Sequence, residues 1–252
     1  MSEFDPRTAA LRPDELQGRV ILITGASRGI GRAVACSCAR HGATVLLLGR
    51  PGRALQEAHA QITTECGAER AAIVEFDLEN ALARDYDTLF AAIEQRFQRL
   101  DGLLHNAGML GQLAPIEHYD VPTWCRVLQV NVTAAFVLTQ ILLPLLKRSA
   151  DASIVFTSSG VGREGRAYWG AYGVSKFAVE GLNEVLAAEL SDISSIRVNS
   201  LNPGPTRTHM RRQAYPAEDA ALLATPQSIT AAYIALLGPA SRGHTGGRFN
   251  AQ

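Results

Sequence analysis

Tyr172 and Lys176 stand one helical turn apart in Ala-Tyr-Gly-Val-Ser-Lys, and Ser159 closes the run Ser-Ile-Val-Phe-Thr-Ser-Ser thirteen residues before the tyrosine. Residues of these types can move a proton to or from a carbonyl oxygen. An unassisted tyrosine, with a pKa of about 10, is a poor proton donor or acceptor at neutral pH. Lysine at the fourth following position shares its helix face, and an ammonium ~4 Å from the phenolate stabilises it by up to ~4 kcal/mol at an effective dielectric of ~20, before desolvation is subtracted. Tyr168 has Tyr172 rather than a lysine at that position. A tyrosine and a lysine four apart are also an ordinary pairing on a half-exposed helix, so the assignment depends on what the rest of the chain places beside them.

The elements that must do the placing follow from patterning. The chain has 252 residues, 47% of them apolar, enough for one large core and short for two. We expect an N-terminal extension, residues 1–18, and a single domain over residues 19–252. Apolar, β-rich runs occur at 20–24, 44–48, 71–76, 102–105, 153–157, 196–201 and near Arg248, with helical patterns between them, including long apolar helices from about Pro122 to Lys147 and from Tyr168 to Leu190. Runs such as Val-Ile-Leu-Ile and Val-Leu-Leu-Leu lack polar alternation and predict strands buried on both faces. The fold expected is α/β, a Rossmann-type doubly wound, mostly parallel seven-stranded sheet with helices on both faces. In such sheets ligands bind beyond the carboxyl ends of the strands. Gly25, Gly49, Asp77, Asn106, Ser159 and Pro203 follow or end these strands and should gather along one edge.

Twenty-four basic residues balance twenty-four acidic ones, so no overall field favours nucleic acid or an anionic membrane. Residues 1–18 carry Glu3, Asp5, Asp14 and Glu15 and no apolar segment, unlike a secretory signal. The longest strongly apolar stretch, Ile141 to Leu146, contains Pro144 and is too short to span a bilayer. A cytoplasmic protein is expected, with no nucleic acid or membrane partner. Cys36, Cys38, Cys66 and Cys125 show no zinc spacing and read as free thiols; no metal is expected.

The first strand runs into Gly25-Ala26-Ser27-Arg28-Gly29-Ile30-Gly31 and then an apolar helix through Arg40. Glycines allow a tight turn and close backbone approach to a pyrophosphate, and the helix N-terminus offers free N–H groups and a positive dipole end. An acid at the end of the second strand would bind the ribose 2′-hydroxyl of NAD, whereas NADP needs positive charge for its 2′-phosphate. Here that strand ends in Gly49 and Arg50. With Arg28, and with Arg53 as a third candidate, guanidiniums can meet the phosphate bidentately. NADP(H) is the expected cofactor; the alternative is that these arginines are merely solvated.

As a set, Thr24-Gly25-x-x-x-Gly29-x-Gly31, Asn106-Ala107-Gly108, Asn131, Ser159, Tyr172-x-x-x-Lys176 and Pro203-Gly204-x-x-x-Thr208 resemble the single-domain short-chain dehydrogenase/reductase family over nearly the whole chain, and within it the bacterial group often called YciK-like oxidoreductases. The resemblance implies that Asp77 meets the adenine amine with Leu78 packing nearby, that Asn106, Ala107 and Gly108 line the ribose and nicotinamide side, and that Pro203, Gly204, Thr206 and Thr208 form the segment holding the carboxamide end. It gives Lys176 the nicotinamide ribose as well as Tyr172, and Asn131 a water in a proton relay to Lys176. Asp77 reads otherwise as a turn residue, and Asn131, on the apolar face Trp124, Val127, Leu128, Ala135 and Leu138, as a structural amide kinking its helix. Ser159 is preferred to Ser158 because its spacing fits the family and Ser158 would point the other way on a continuing strand.

The implied activity is an NADP(H)-dependent oxidoreductase, a carbonyl reductase or alcohol dehydrogenase acting on a small-molecule substrate by a Ser-Tyr-Lys-Asn mechanism, assembled as a homodimer or homotetramer. The alternative is a non-catalytic NADP(H)-binding module. A lid over His209 to Asp219 carries Arg211, Arg212 and Tyr215, which either attract an anionic substrate or face solvent. Tyr168 and Trp169 either line the pocket or fill the core or an interface. His105 stands where many relatives have asparagine, which bears on the nicotinamide side.

Overall fold

A computed structural model describes residues 4–252; the first three residues of the expected extension lie outside them. Seven parallel strands, β1 (Val20–Thr24), β2 (Thr44–Gly49), β3 (Ala71–Glu75), β4 (Gly102–His105), β5 (Ser153–Thr157), β6 (Arg197–Asn202) and β7 (Arg248–Asn250), form one sheet in the order β3-β2-β1-β4-β5-β6-β7. The helices are α1 (Gly29–Arg40), α2 (Arg53–Cys66), α3 (Ala83–Phe97), α4 (Val121–Leu128), α5 (Ala134–Leu146), α6 (Gly170–Leu190), α7 (His209–Ala214) and α8 (Thr230–Leu237). Every expected strand forms, with ends displaced by about one residue: Phe76 lies beyond β3, and β6 starts at Arg197 rather than Ile196. All six pairings are parallel, so no antiparallel edge is present among the described residues.

The continuous apolar runs are central strands because alternate residues serve two cores. Ile21 and Ile23 join Val34, Leu47, Tyr233 and Ile234 on the face covered by α1, α2 and α8. Leu22 joins Leu46, Leu138, Leu142, Phe156 and Val179 on the face covered by α3, α5 and α6. Each such side chain contributes about 1.5–3 kcal/mol on burial, and a polar residue on either side of β1 would forfeit that on one face. The edge strands β3 and β7 have exposed positions, which is why their sequences are less continuously apolar.

Two helices differ from expectation. Residues Val121–Leu146 form one 26-residue helical run containing an 18-residue stretch of mean hydropathy 1.6, long and apolar enough by composition alone to cross a bilayer, because scattered polar residues do not break the helix as they break a contiguous apolar stretch. Its apolarity is used within the fold: Val127, Ala134, Ala135, Leu138, Leu142, Leu145 and Leu146 are buried. The run passes through a π-helical segment at Gln129–Thr133, centred on Asn131. Helix α6 starts at Gly170, not Tyr168. Tyr168 has φ +72° and is exposed, so it turns the chain into the helix instead of belonging to it.

The carboxyl ends of β1 and β4 lie side by side at the point where strand order reverses, as their pairing requires. The opposite pole is closed by charge. Asp151 pairs with Arg19, Arg197 and Arg242, and Arg19 also donates to the Asp101 carbonyl at 2.7 Å. The Asp151 cluster thus ties together the segments that enter β1, β5 and β6 at the end of the sheet away from the glycine loop.

Candidate active site

The floor is built where β1 meets β4. Thr24 Oγ1 accepts from the Asn106 and Ala107 amides at 2.9 and 3.0 Å and donates to the Leu104 carbonyl at 3.2 Å. Asn106 Nδ2 donates to the Thr24 carbonyl at 3.1 Å. Thr24 was read only as part of the glycine motif, yet its hydroxyl joins the two strand ends. The glycine loop is seated on this junction. A Cβ on Gly31 would come within 2.3 Å of the Gly25 carbonyl and 2.5 Å of Asn106 Nδ2, and one on Gly25, at φ +66°, within 2.9 Å of Ala107 Cα. These two glycines are therefore demanded by internal packing, before any ligand is considered. Ile30 packs against the core beneath, and Gly29 faces Thr208 across the cleft, 3.6 Å from where its Cβ would stand.

Arg28 occupies the extended N-cap of α1, whose first turn holds no acid. Arg28 and Arg50 are exposed. Among the described residues, neither guanidinium has a hydrogen-bond or ion-pair partner. Ser27 approaches Gly49, its Cβ 3.9 Å from where a Gly49 Cβ would stand, which brings the two loops together. Arg53, in contrast, is committed to Glu57 at 2.7 Å one helical turn away. Asp77 accepts from the Glu79 amide and from Asn80 Nδ2, shaping its turn, while Leu78 is buried nearby.

Tyr172, Lys176, Ser159 and Asn131 converge from three elements. Ser159 follows β5, and its hydroxyl lies near enough to the Tyr172 phenol to favour the ionised form. Lys176 lies beside that phenol with Nζ 5.6 Å from the ring centre and donates to the Thr157 carbonyl at 2.8 Å. Burial pushes the Tyr172 hydroxyl up to about 12, partly opposed by Ser159. Burial likewise pushes Lys176 down to about 8, partly opposed by Glu180. The expected lowering of the phenol by lysine is thus overturned: both groups leave water, and desolvation exceeds their attraction. Tyr172 is consequently a neutral proton donor at pH 7 beside a lysine that is still largely charged.

Asn131 Oδ1 accepts from the Met109 amide at 2.7 Å, and its Nδ2 donates to the Met109 carbonyl at 3.0 Å and to Ser175 Oγ at 2.9 Å. Ser175 Oγ in turn donates to the Tyr172 carbonyl at 2.7 Å. The π-helical segment lets the amide turn inward while its neighbours keep their apolar contacts. Asn131, Lys176, Thr157, Thr24 and His105 are the polar groups lining a small cavity of about 10 Å³, which is room for one water. His105 is buried, stacked on Phe156 at 4.8 Å and 2.9 Å from Thr139 Oγ1, and burial pushes its ring down to about 3. It is a neutral core residue.

The remaining wall is the segment after β6. Thr206 Oγ1 donates to the Gly204 carbonyl at 3.1 Å; Gln252 Nε2 donates to the Pro203 and Pro205 carbonyls at 2.6 and 3.2 Å. Thr208 caps α7 by accepting from the Arg211 amide. Only His209–Ala214 of the expected lid is helical. Met210, Ala214 and Trp169 pack against the cluster of Leu110, Val161 and Tyr172. Arg211 is held bidentately by Glu218 at 2.6 Å and stacks on Tyr215 at 3.8 Å, so its charge is satisfied internally. Arg212 is exposed. Ser158, the rival serine, points away from Tyr172 and donates to Glu180 at 2.6 Å. Ser175 and Glu180 were missed; each shares the tyrosine's helix, at its third and eighth following positions, and the spacing of Glu180 from Lys176 was the available signal.

A parallel, doubly wound sheet with this serine, tyrosine and lysine at its carboxyl edge defines a class. The short chain dehydrogenase family model matches residues 19–219, and the chain belongs to the short-chain dehydrogenase/reductase family of oxidoreductases acting on alcohol and carbonyl groups. It is 48% identical over 241 residues, 96% of this chain and 94% of the other, to the uncharacterised oxidoreductase YciK of Escherichia coli strain K12. A short chain dehydrogenase from Pseudomonas syringae is 52% identical, with 99% of both chains covered and a TM-score of 0.95. Another, from Escherichia coli CFT073 in complex with NADPH, is 49% identical over 96% of this chain and 99% of its own, with a TM-score of 0.92.

Proposed function

We propose that the protein is an NADP(H)-dependent carbonyl reductase or alcohol dehydrogenase in which Ser159, Tyr172, Lys176 and Asn131 carry the chemistry. The single observation behind it is the buried Tyr172 phenol, with Ser159 close to it and the Lys176 ammonium beside its ring. The described surroundings of the glycine loop fit the cofactor: Arg28 and Arg50 are unpaired, no acid stands at the end of β2, and the α1 N-terminus presents free amides. The similar Escherichia coli protein crystallised with NADPH supports the same choice.

Gly25, Ser27, Gly29, Ile30 and Gly31 would hold the pyrophosphate, with Arg28 and Arg50 at the 2′-phosphate. Asp77 and Leu78 would meet the adenine, Asn106, Ala107 and Gly108 the ribose and nicotinamide, and Pro203, Gly204, Thr206 and Thr208 the carboxamide. NADPH, when bound, supplies the hydride to the carbonyl carbon. Ser159 donates a hydrogen bond to the substrate oxygen and Tyr172 delivers the proton there. The fixed donors and the Lys176 charge meet the negative charge that develops on that oxygen. A water in the cavity between Asn131 and Lys176 would return a proton toward Tyr172. In oxidation the same groups work in reverse.

The substrate is a small molecule, taken up against the apolar wall of Leu110, Val161, Trp169 and Met210. A homodimer or homotetramer is part of this reading, because Val174, Phe177 and Val185 lie exposed along one side of α6, with Phe136 exposed on α5. A cytoplasmic site fits the four unpaired thiols. The test is NADPH and NADH oxidation against ketones, aldehydes, diketones, quinones and 3-oxoacyl thioesters, with Tyr172→Phe as control. NADPH-preferring turnover lost in the variant is expected. Equal turnover by the variant would refute the mechanism.

A further inference from the structure

Glu180 is a buried carboxylate, one helical turn beyond Lys176 and 4% exposed, with both oxygens fully engaged. Oε1 accepts from Ser158 Oγ at 2.6 Å and Arg163 Nε at 2.9 Å. Oε2 accepts from Ser200 Oγ at 2.6 Å, with Arg248 Nε 3.4 Å away. Those four partners come from the β5 exit, the turn after it, β6 and β7. Arg163 extends the connection, donating to the Phe249 carbonyl at 2.8 Å and to Asn250 Oδ1 at 3.0 Å. The turn before Arg163 packs on α6 at the lysine itself, since a Cβ on Gly162 would come within 2.7 Å of Lys176 Cβ and its carbonyl carbon.

A buried ionised carboxylate is costly unless every lone pair is used, and here four donors are assembled to keep one charged. A core built for stability alone would place an apolar side chain at this position. What the charge does is visible in what flanks it. Ser158 is the residue immediately before Ser159, so holding its hydroxyl and, through the Leu201 carbonyl, its amide fixes the backbone from which Ser159 reaches Tyr172. The same negative charge acts on Lys176, one helical turn away, opposing the effect of burial on the ammonium.

We propose that Glu180 is a positioning residue for the catalytic set, anchoring the β5 exit through Ser158 and supplying the buried negative charge one helical turn from the Lys176 ammonium. The inference rests on the reductase reading above. The charged and titratable groups around Lys176 are Tyr172 and Glu180 on its own helix, with neutral His105 across the cavity from β4; those around Glu180 are Arg163, Arg248 and Lys176. With the carboxylate neutralised, burial acts on Lys176 unopposed, and its proton leaves at lower pH than about 8.

NADPH affinity, followed by reduced-nicotinamide fluorescence from pH 6 to 9, separates this from a structural role. Glu180→Gln should bind NADPH within about twofold of the native protein at pH 6 and at least about fivefold more weakly at pH 8, as expected for a shift approaching one pKa unit. Superimposable pH profiles would overturn the proposal, provided Lys176→Met weakens binding; if Lys176→Met changes nothing, the cofactor role of the lysine fails instead, and with it the reading beneath. Ser158→Ala and Ser200→Ala carry the second arm, including the case in which Glu180→Gln does not fold. Each removes one 2.6 Å bond to the same carboxylate, so their melting temperatures should fall alike. With the carbonyl substrate found in the panel above, Ser158→Ala should lower kcat by about fivefold or more and Ser200→Ala by less than about twofold, the excess for Ser158 reflecting its place beside Ser159. Equal losses of kcat would show that Glu180 only holds the fold.

Discussion

At the residue scale, the neutral phenol of Tyr172 and the lowered Lys176 set distinct expectations. Tyr172→Phe removes the transferable proton while keeping the ring that packs on Trp169 at 5.6 Å. Turnover should therefore fall by at least about 10²-fold, the usual worth of a positioned acid, with NADPH binding retained by fluorescence titration. Ser159→Ala should cost more turnover than Ser158→Ala, because only the former loses the group facing the phenol. Lys176 keeps its charge below about 8 and loses it above, well short of the 10.5 of a solvated lysine. Carbonyl reduction should accordingly decline as pH rises through about 8, which initial rates in constant-ionic-strength buffers would reveal; a rate flat to pH 10 would contradict the burial argument. Arg50→Ala and Arg28→Ala should each weaken NADPH while leaving NADH nearly unchanged, measured as paired dissociation constants.

At the scale of elements, the strand-end junction is where a small change should have a large effect. Gly31 has no room for a methyl group, since the Gly25 carbonyl and Asn106 Nδ2 lie within 2.5 Å of where it would go. Gly31→Ala should cost about 1–3 kcal/mol through overpacking and should weaken NADPH binding more than that loss of stability would explain, because the whole loop must shift; calorimetry and cofactor titration on the same sample test both. The glycine pattern and its position between strand and helix were legible in the sequence. What was not legible is that Gly25 and Gly31 are small first for the sake of Asn106 and Ala107, residues some 80 positions away. The π-helical segment at Asn131 was likewise hidden, because a helical apolar pattern is blind to one extra residue in a turn. Tyr168 misled for a related reason: the apolar pattern runs on smoothly into α6, and only a left-handed backbone at that residue ends it.

On the scale of the whole molecule, the Asp151 cluster at the amino-terminal ends of the strands lies apart from the candidate site. Burial raises the Asp151 carboxyl, but Arg197, Arg242 and Arg19 together outweigh it and hold it below the ordinary carboxylate range. Its contribution is present above the unfolded carboxylate value and is lost as pH falls through the lowered folded value. Asp151→Ala leaves the buried Arg19 and Arg197 guanidiniums without their carboxylate and should destabilise the fold by about 3 kcal/mol, as breaking a buried pair does, while NADPH affinity stays within about twofold. Denaturant unfolding and titration separate the two quantities. The exposed apolar side of α6 is the corresponding place to test assembly. Phe177→Arg should shift sedimentation toward the monomer, and an unchanged velocity profile would place the contact elsewhere.

By itself, the sequence determined the strand positions, the double-sided burial of the central sheet and the candidate chemistry of Tyr172, Lys176 and Ser159. Those depend on local spacing: period-two faces in strands, one-turn neighbours in helices, and glycines between a strand and a helix. Tertiary structure alone decided the charge states and the partners. Lys176 and Tyr172 are perturbed by desolvation, which depends on residues remote in the chain closing over them. Arg211 is silenced by Glu218, Arg53 by Glu57, and Glu180 is assembled with Ser158, Arg163, Ser200 and Arg248 only when four elements meet. Spacing along a chain specifies which groups share a face; burial and satisfaction of their hydrogen bonds are properties of the packed whole.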